Sequence, residues 1–145
     1  MPATYDNLGV RFLYPENWCV TEEDFDGWPR TVTVTSPGGG FWSVHVYPRD
    51  AAPGRLTDQI VETMRGEYDS LEAVAAAEEI AGLETTGHDM DFYCLDLVVS
   101  ARTRCLRHGE HVLLFFYQAE SRDFETLAPV FKALAHSLLT SQGNT

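Results

Sequence analysis

The chain is expected to be α+β: an antiparallel β-sheet with helices packed on its faces, an α/β/α sandwich over a single domain spanning residues 1–145. Three observations lead there. Two segments alternate apolar and polar residues around a glycine-rich turn, and so make a hairpin. Two other segments repeat apolar residues at helical spacing, one in the middle and one near the C-terminus. The resulting order of strands, helix, strands, helix suits a mainly antiparallel sheet better than a run of βαβ units.

The elements follow in chain order. Leu8 to Tyr14 carries Leu8, Val10, Phe12 and Tyr14 on one side of a strand. Pro15, Glu16 and Asn17 turn the chain, and Trp18 to Glu22 is expected to pair back. Arg30 to Thr35 places Val32 and Val34 opposite three threonines. Ser36-Pro37-Gly38-Gly39-Gly40 turns it into Phe41 to Tyr47, where Trp42, Val44 and Val46 alternate. Pro48 to Arg55 is a loop. Leu56, Ile60, Val61, Met64 and Tyr68 then mark a helix from about Thr57 to Glu67, with Gly66 near its end.

Leu71 to Ile80 is ambiguous: its Ala and Glu favour helix, and its alternation is poor for either state. Asp91 to Thr103 is expected to form one long strand. Arg107 to Glu110 turns it into His111 to Ala119, which is apolar on both faces and so should be central and covered on both sides. Phe124, Leu127, Phe131, Leu134, Ala135 and Leu138 give a last helix from about Asp123 to Leu139, with Ser121 and Asp123 as candidate caps. Pro129 sits inside it and predicts a kink or a separate first turn.

Charge narrows the function classes. The chain of 145 residues has 22 acidic and 10 Lys or Arg residues, a formal net charge of −12. Such a surface repels phosphate backbones and anionic membranes, so neither nucleic acid nor membrane is an expected partner. A basic protein partner fits the sign, although solubility alone also accounts for it. Three cysteines with no Cys-x-x-Cys spacing read as reduced thiols. Met1 to Arg11 lacks a basic and then apolar signal pattern, and no apolar run approaches the length of a membrane span. These features predict the cytoplasm.

Three phrases run in order through the chain: Phe12-Leu13-Tyr14-Pro15-Glu16-Asn17-Trp18, then Ser36-Pro37-Gly38-Gly39 into Phe41-Trp42-Ser43-Val44, then Tyr117-Gln118-Ala119-Glu120 before a helix ending His136-Ser137-Leu138. Their order resembles the PsbP-like superfamily, which includes the photosystem II extrinsic subunit, the Ran-binding Mog proteins and bacterial relatives. The resemblance implies an antiparallel sheet with helices on both faces, a strand at Leu71 to Ile80, and binding roles in place of a shared chemistry. It transfers no functional residue to this chain.

Four constellations carry candidate chemistry. The acidic turn Glu22-Glu23-Asp24-Phe25-Asp26-Gly27, followed by Trp28, reads as a contact patch for a basic partner, with Phe25 and Trp28 as aromatic anchors, or as a solvated loop. Glu22, Asp24, Asp26 and Gly27 echo the start of a calcium loop, but Thr33 stands where its last carboxylate belongs and the flanks read as strands. His108, Glu110 and His111 are metal-ligand types within four residues, though in a hairpin turn instead of a helix. His88, Asp89 and Asp91 make a looser cluster of the same kind. Cys94 or Cys105 could serve as a nucleophile if a base such as His45, His88 or His136 came near, but free Cys is more often a small buried hydrophobe. Asp96, set among Leu95, Leu97, Val98 and Val99, would have a raised pKa if buried unless Arg102 or Arg104 paired with it; a strand face turned to water is the simpler alternative.

The sequence therefore favours a non-catalytic protein-binding or adaptor domain with no cofactor. Its alternative is a small metal-binding protein or enzyme using the His/Glu cluster or a free Cys.

Overall fold

The computed structural model describes residues 2–24 and 26–142, without the Gln142 side chain. Nine strands and two helices follow as β1 (Pro2–Asn7), β2 (Val10–Pro15), β3 (Cys19–Glu23), β4 (Arg30–Thr35), β5 (Phe41–Pro48), α1 (Pro53–Glu67), β6 (Glu72–Ile80), β7 (Leu83–Cys94), β8 (Leu97–His108), β9 (His111–Glu120) and α2 (Ser121–Gln142). β3 to β9 form one seven-stranded sheet in the order β3-β4-β5-β9-β8-β7-β6, antiparallel throughout. β1 and β2 form a separate two-stranded sheet.

β9 lies at the centre, and its pleat divides the core in two. Leu113, Phe115, Tyr117 and Ala119 face one side, where they meet Trp42, Val44, Phe12, Phe131 and Leu134. Val112, Leu114 and Phe116 face the other, beside Cys105, Leu56 and Ile60. α2 and the β1–β2 hairpin cover the first side; α1 packs on β7, β8 and β9 on the second. This is the expected sandwich, with a hairpin sharing one of its outer layers. Among the described residues no helix is long and apolar enough to cross a membrane.

Several expectations need correction. Trp18 to Glu22 does not pair with Leu8 to Tyr14. β2 pairs with β1, and β3 pairs with β4, because the Pro15–Asn17 turn carries the chain from one sheet to the other. Leu8 and Gly9 both have positive φ and form the β1–β2 turn, so the strand starts later than expected. Asp91 to Thr103 is not one strand. It is broken by a two-residue turn at Leu95 and Asp96, both in the left-handed region at φ +50° and +68°. Asp96 is therefore exposed at a hairpin tip and not buried in a strand.

Two further elements depart from expectation in detail. α1 starts at Pro53, a residue suited to the first helical position because its missing N–H would have no helical partner there. Gly66 lies within that helix and does not end it. α2 runs unbroken through Pro129. Pro129 and Glu125, one turn before it, are both exposed, so the carbonyl that loses its helical bond faces water. Leu71 to Ile80 contains a strand, β6, as the resemblance implies.

Candidate functional site

β3 has a neighbour on one side only, so it is an open edge of the large sheet. Glu22 and Glu23 sit at its end, and Asp24 and Asp26 follow in the loop to β4. All four are exposed. Their surroundings differ. Glu22 Oε2 accepts hydrogen bonds from the Tyr5 hydroxyl (2.5 Å) and Asn7 Nδ2 (3.0 Å), which tie β1 to the edge. Burial and the Glu22 carboxylate together push the Tyr5 phenol above its usual range. Glu22 is thus engaged within the fold. Asp24 makes a long ion pair with Arg30 (3.9 Å). Phe25 lies outside the described residues.

Trp28 closes this surface. It remains 46% exposed. Arg30 lies over its ring at 4.6 Å, and the His111 ring is 5.9 Å away. The β3–β4 loop and the β8–β9 turn therefore meet, which brings two separate sequence candidates to one end of the sheet. Trp18 and Trp42, by contrast, are core residues. Nothing in the sequence distinguishes Trp28 from them except its position among turn residues.

His108 and His111 face each other across the β8–β9 turn, where Gly109 takes a positive φ of 60°. Burial lowers the His108 pKa. Among the described residues, no three His, Cys, Asp or Glu side chains gather as a group able to hold a metal ion, and these residues are no exception. The looser His88, Asp89 and Asp91 cluster is divided by the strand pleat. His88 Nε2 reaches Asp58 of α1 (3.6 Å), whereas Asp89 meets Arg104 and Arg102 on the opposite face.

Arg102 and Arg104, the candidate partners of Asp96, belong to a different network. Arg104 Nε donates to Glu78 Oε1 and its Nη2 to Asp89 Oδ1, both at 2.7 Å, with the guanidinium almost fully buried. Arg102 Nε lies 3.3 Å from the same Asp89 oxygen and stacks on Phe124 at 4.7 Å. Lys132 of α2 adds a contact to Glu78 at 3.4 Å. The register explains the grouping: Glu78, Asp89, Arg102 and Arg104 share the α2 face of neighbouring strands. Sequence spacing does not reveal it, because β6, β7 and β8 are brought together only by two hairpin turns.

A second polar group was also missed. His45 Nδ1 lies 3.0 Å from Thr31 Oγ1, and its Nε2 lies 3.1 Å from Ser43 Oγ. Ser43 donates its single proton to the Phe116 carbonyl (3.2 Å). It must therefore accept from Nε2–H, leaving Nδ1 to accept from Thr31. Burial lowers the His45 pKa to about 4, so the ring is neutral near pH 7. Ser43 is held as a buried structural donor.

The thiols divide by burial. Cys19 is exposed, Cys94 partly so, and Cys105 buried. Burial pushes the Cys105 thiol up to about 12, the reverse of nucleophile activation.

Open grooves lie away from the acidic edge, two of them sizeable. One of about 690 Å³ is bounded by Leu13 to Asn17 and by α2 residues such as Val130 and Leu134; its walls are mainly apolar. The other, about 490 Å³, runs from the glycine-rich β4–β5 turn past the end of β9 to the first turns of α2.

No protein-family model matches the chain, and no curated protein matches it by sequence. Solved structures do match in shape. Cyanobacterial PsbP (CyanoP) from Synechocystis sp. PCC 6803 superposes with a TM-score of 0.61 at 16% identity, over 94% of this chain and 90% of that one. A protein from Bacteroides thetaiotaomicron gives 0.64 at 14% identity, over 93% of this chain but only 47% of its own length. A protein of unknown function from Pseudomonas aeruginosa gives 0.55 at 12% identity, over 94% and 95% of the two chains. The chain has a PsbP-like fold. Identities this low carry the fold and no function.

Proposed function

We propose that the protein is a non-catalytic binding domain whose acidic sheet edge docks a basic protein partner. The observation that carries this reading is Trp28: a half-exposed tryptophan, braced by Arg30 and His111, at the end of the sheet where β3 closes and in the same loop as Asp24 and Asp26. Tryptophan is enriched among residues that dominate binding energy, and a braced ring loses little freedom on docking. An open edge offers backbone hydrogen bonds to an extended partner segment. The net charge of −12 supports a basic partner by attraction over long range. Glu22 contributes its charge from a fixed position within the fold. The free state of Cys19, Cys94 and Cys105 supports a reducing setting such as the cytoplasm.

Affinity capture from lysate of the source organism tests the reading, with wild type and Trp28→Ala compared at low and at moderate salt. A stoichiometric basic partner, lost in the variant and weakened by salt, is the expected result. Capture that is unchanged by both the variant and salt would remove it.

A further inference from the structure

The hairpin between β7 and β8 closes on Leu95 and Asp96, both in the left-handed region. A two-residue turn of this kind normally takes Asn-Gly or Asp-Gly, since a Cβ is crowded there and a γ-branched side chain gains nothing from it. Leu95 is nevertheless 92% exposed, so burial does not offset the crowding. Tyr93 beside it is 63% exposed, and Leu97 and Val98 are exposed as well. Tyr93 and Val98 stand directly opposite each other across the hairpin. The Tyr93–Val98 cross-strand pair supports the hairpin, but a polar turn would close it better and keep its tip in water, so folding does not explain the exposed Leu95 and Leu97. Strain and exposed apolar area concentrated at one tip are marks of a contact surface.

The tip continues into the 490 Å³ groove, which Leu97 lines together with Val99, Trp18 and Leu127. Asp123 lines the same groove, as does Glu120, which pairs with Arg122 at 2.8 Å, and Asp96 lies in the tip itself. Ser36 also lines it; its hydroxyl is buried and has no hydrogen-bond partner among the described residues. The combination is an apolar strip in a mixed groove, the carboxylates of Asp96 and Asp123 beside it, and one uncommitted polar atom.

We propose that the β7–β8 tip and this groove form a docking surface for a basic amphipathic segment of another protein. Charge decides between occupants. A second copy of this chain brings its own net charge of −12 and is repelled, as is an anionic lipid surface. Lys and Arg flanking an apolar face complement both parts of the surface. This surface is separate from the one at Trp28. The two lie at opposite ends of β8, whose 12 residues span about 40 Å.

The probe is a synthetic amphipathic helix of about 18 residues with Leu on one face and Lys on the other, compared with a version carrying Glu for Lys. Binding is followed by amide chemical shifts of the full chain. Shifts confined to residues 93–99 and 118–127, with the Lys peptide only, are expected. Leu95→Asn suits the left-handed turn, so it should keep or raise the thermal midpoint while weakening binding about tenfold or more. Trp28→Ala should bind the probe as wild type does, so that failure at one surface is told from failure at the other. Shifts elsewhere, equal binding of the Glu peptide, or undiminished affinity in a folded Leu95→Asn variant would overturn the assignment. Perturbation of the same tip by phosphatidylcholine vesicles would assign it to lipid and overturn it too.

Discussion

The ring of Trp28 lies 5.9 Å from that of His111, joining the acidic β3–β4 loop to the β8–β9 turn. Two stretches far apart in the chain thus make one end of the molecule. Trp28 contributes little to the core there, being half exposed. Trp28→Ala should lower affinity for the partner by about tenfold or more. It should lower unfolding free energy by only about 1 kcal/mol, as read by urea titration. His111→Ala should have a smaller effect in the same direction on affinity, because it removes only the brace.

The Arg104 network should behave differently. Arg104→Met leaves Glu78 and Asp89 without their main counter-charge and should destabilise the fold by about 3 kcal/mol. Adding Glu78→Gln and Asp89→Asn should restore much of that loss, since uncompensated carboxylates cause it. Denaturant midpoints of the single and triple variants check this.

His45 gives stability a defined pH dependence. Its folded pKa of about 4 lies below the ordinary 6.5, so the unfolded chain binds the proton more readily. Above pH 6.5 the group contributes no slope. As pH falls from 6.5 towards 4, stability drops by up to about 3 kcal/mol, and the decline from this group levels off below 4. Carboxylates also titrate in the lower part of that window, so the comparison is with His45→Asn. The slope between pH 6.5 and 5 should flatten in the variant.

Gly87 is fixed by a backbone approach. A Cβ there would fall 1.7 Å from the Thr103 carbonyl oxygen, which cannot move without parting β7 from β8. Gly87→Ala should therefore cost about 3 kcal/mol or more, visible as a lower thermal midpoint.

The thiols should react in order of burial: Cys19 with a disulfide reagent at once, Cys94 more slowly, and Cys105 only on unfolding. A fast-reacting Cys105 in the folded protein would reopen the nucleophile alternative.

The parts of this fold that were legible in the sequence are those where local chemistry and tertiary role agree. β4 and β5 alternate cleanly around a glycine-rich turn, and β9 carries apolar residues on both faces because both faces are covered. The Leu95–Asp96 turn was invisible because Leu95 is not a turn residue and the lone Asp96 sits among apolar neighbours, so two strands read as a single strand. β2 lost its expected partner because β1, with few apolar residues, gives little periodic signal. Pro129 overstated a break, since an exposed helix face tolerates a hydrated carbonyl. At the candidate site, the acidic run was plain in the sequence, but the engagement of Glu22 with Tyr5 and Asn7 depends on a pairing that only the folded chain makes. The Glu78–Arg104–Asp89 network was hidden for the same reason.

Amide hydrogen exchange of the protein in complex with its captured partner bears most directly on the acidic edge. Docking at this edge slows exchange along Cys19 to Glu23 and at the Trp28 indole, and salt should restore the free rates. Exchange there at the free rate, with protection confined to other segments, would contradict it.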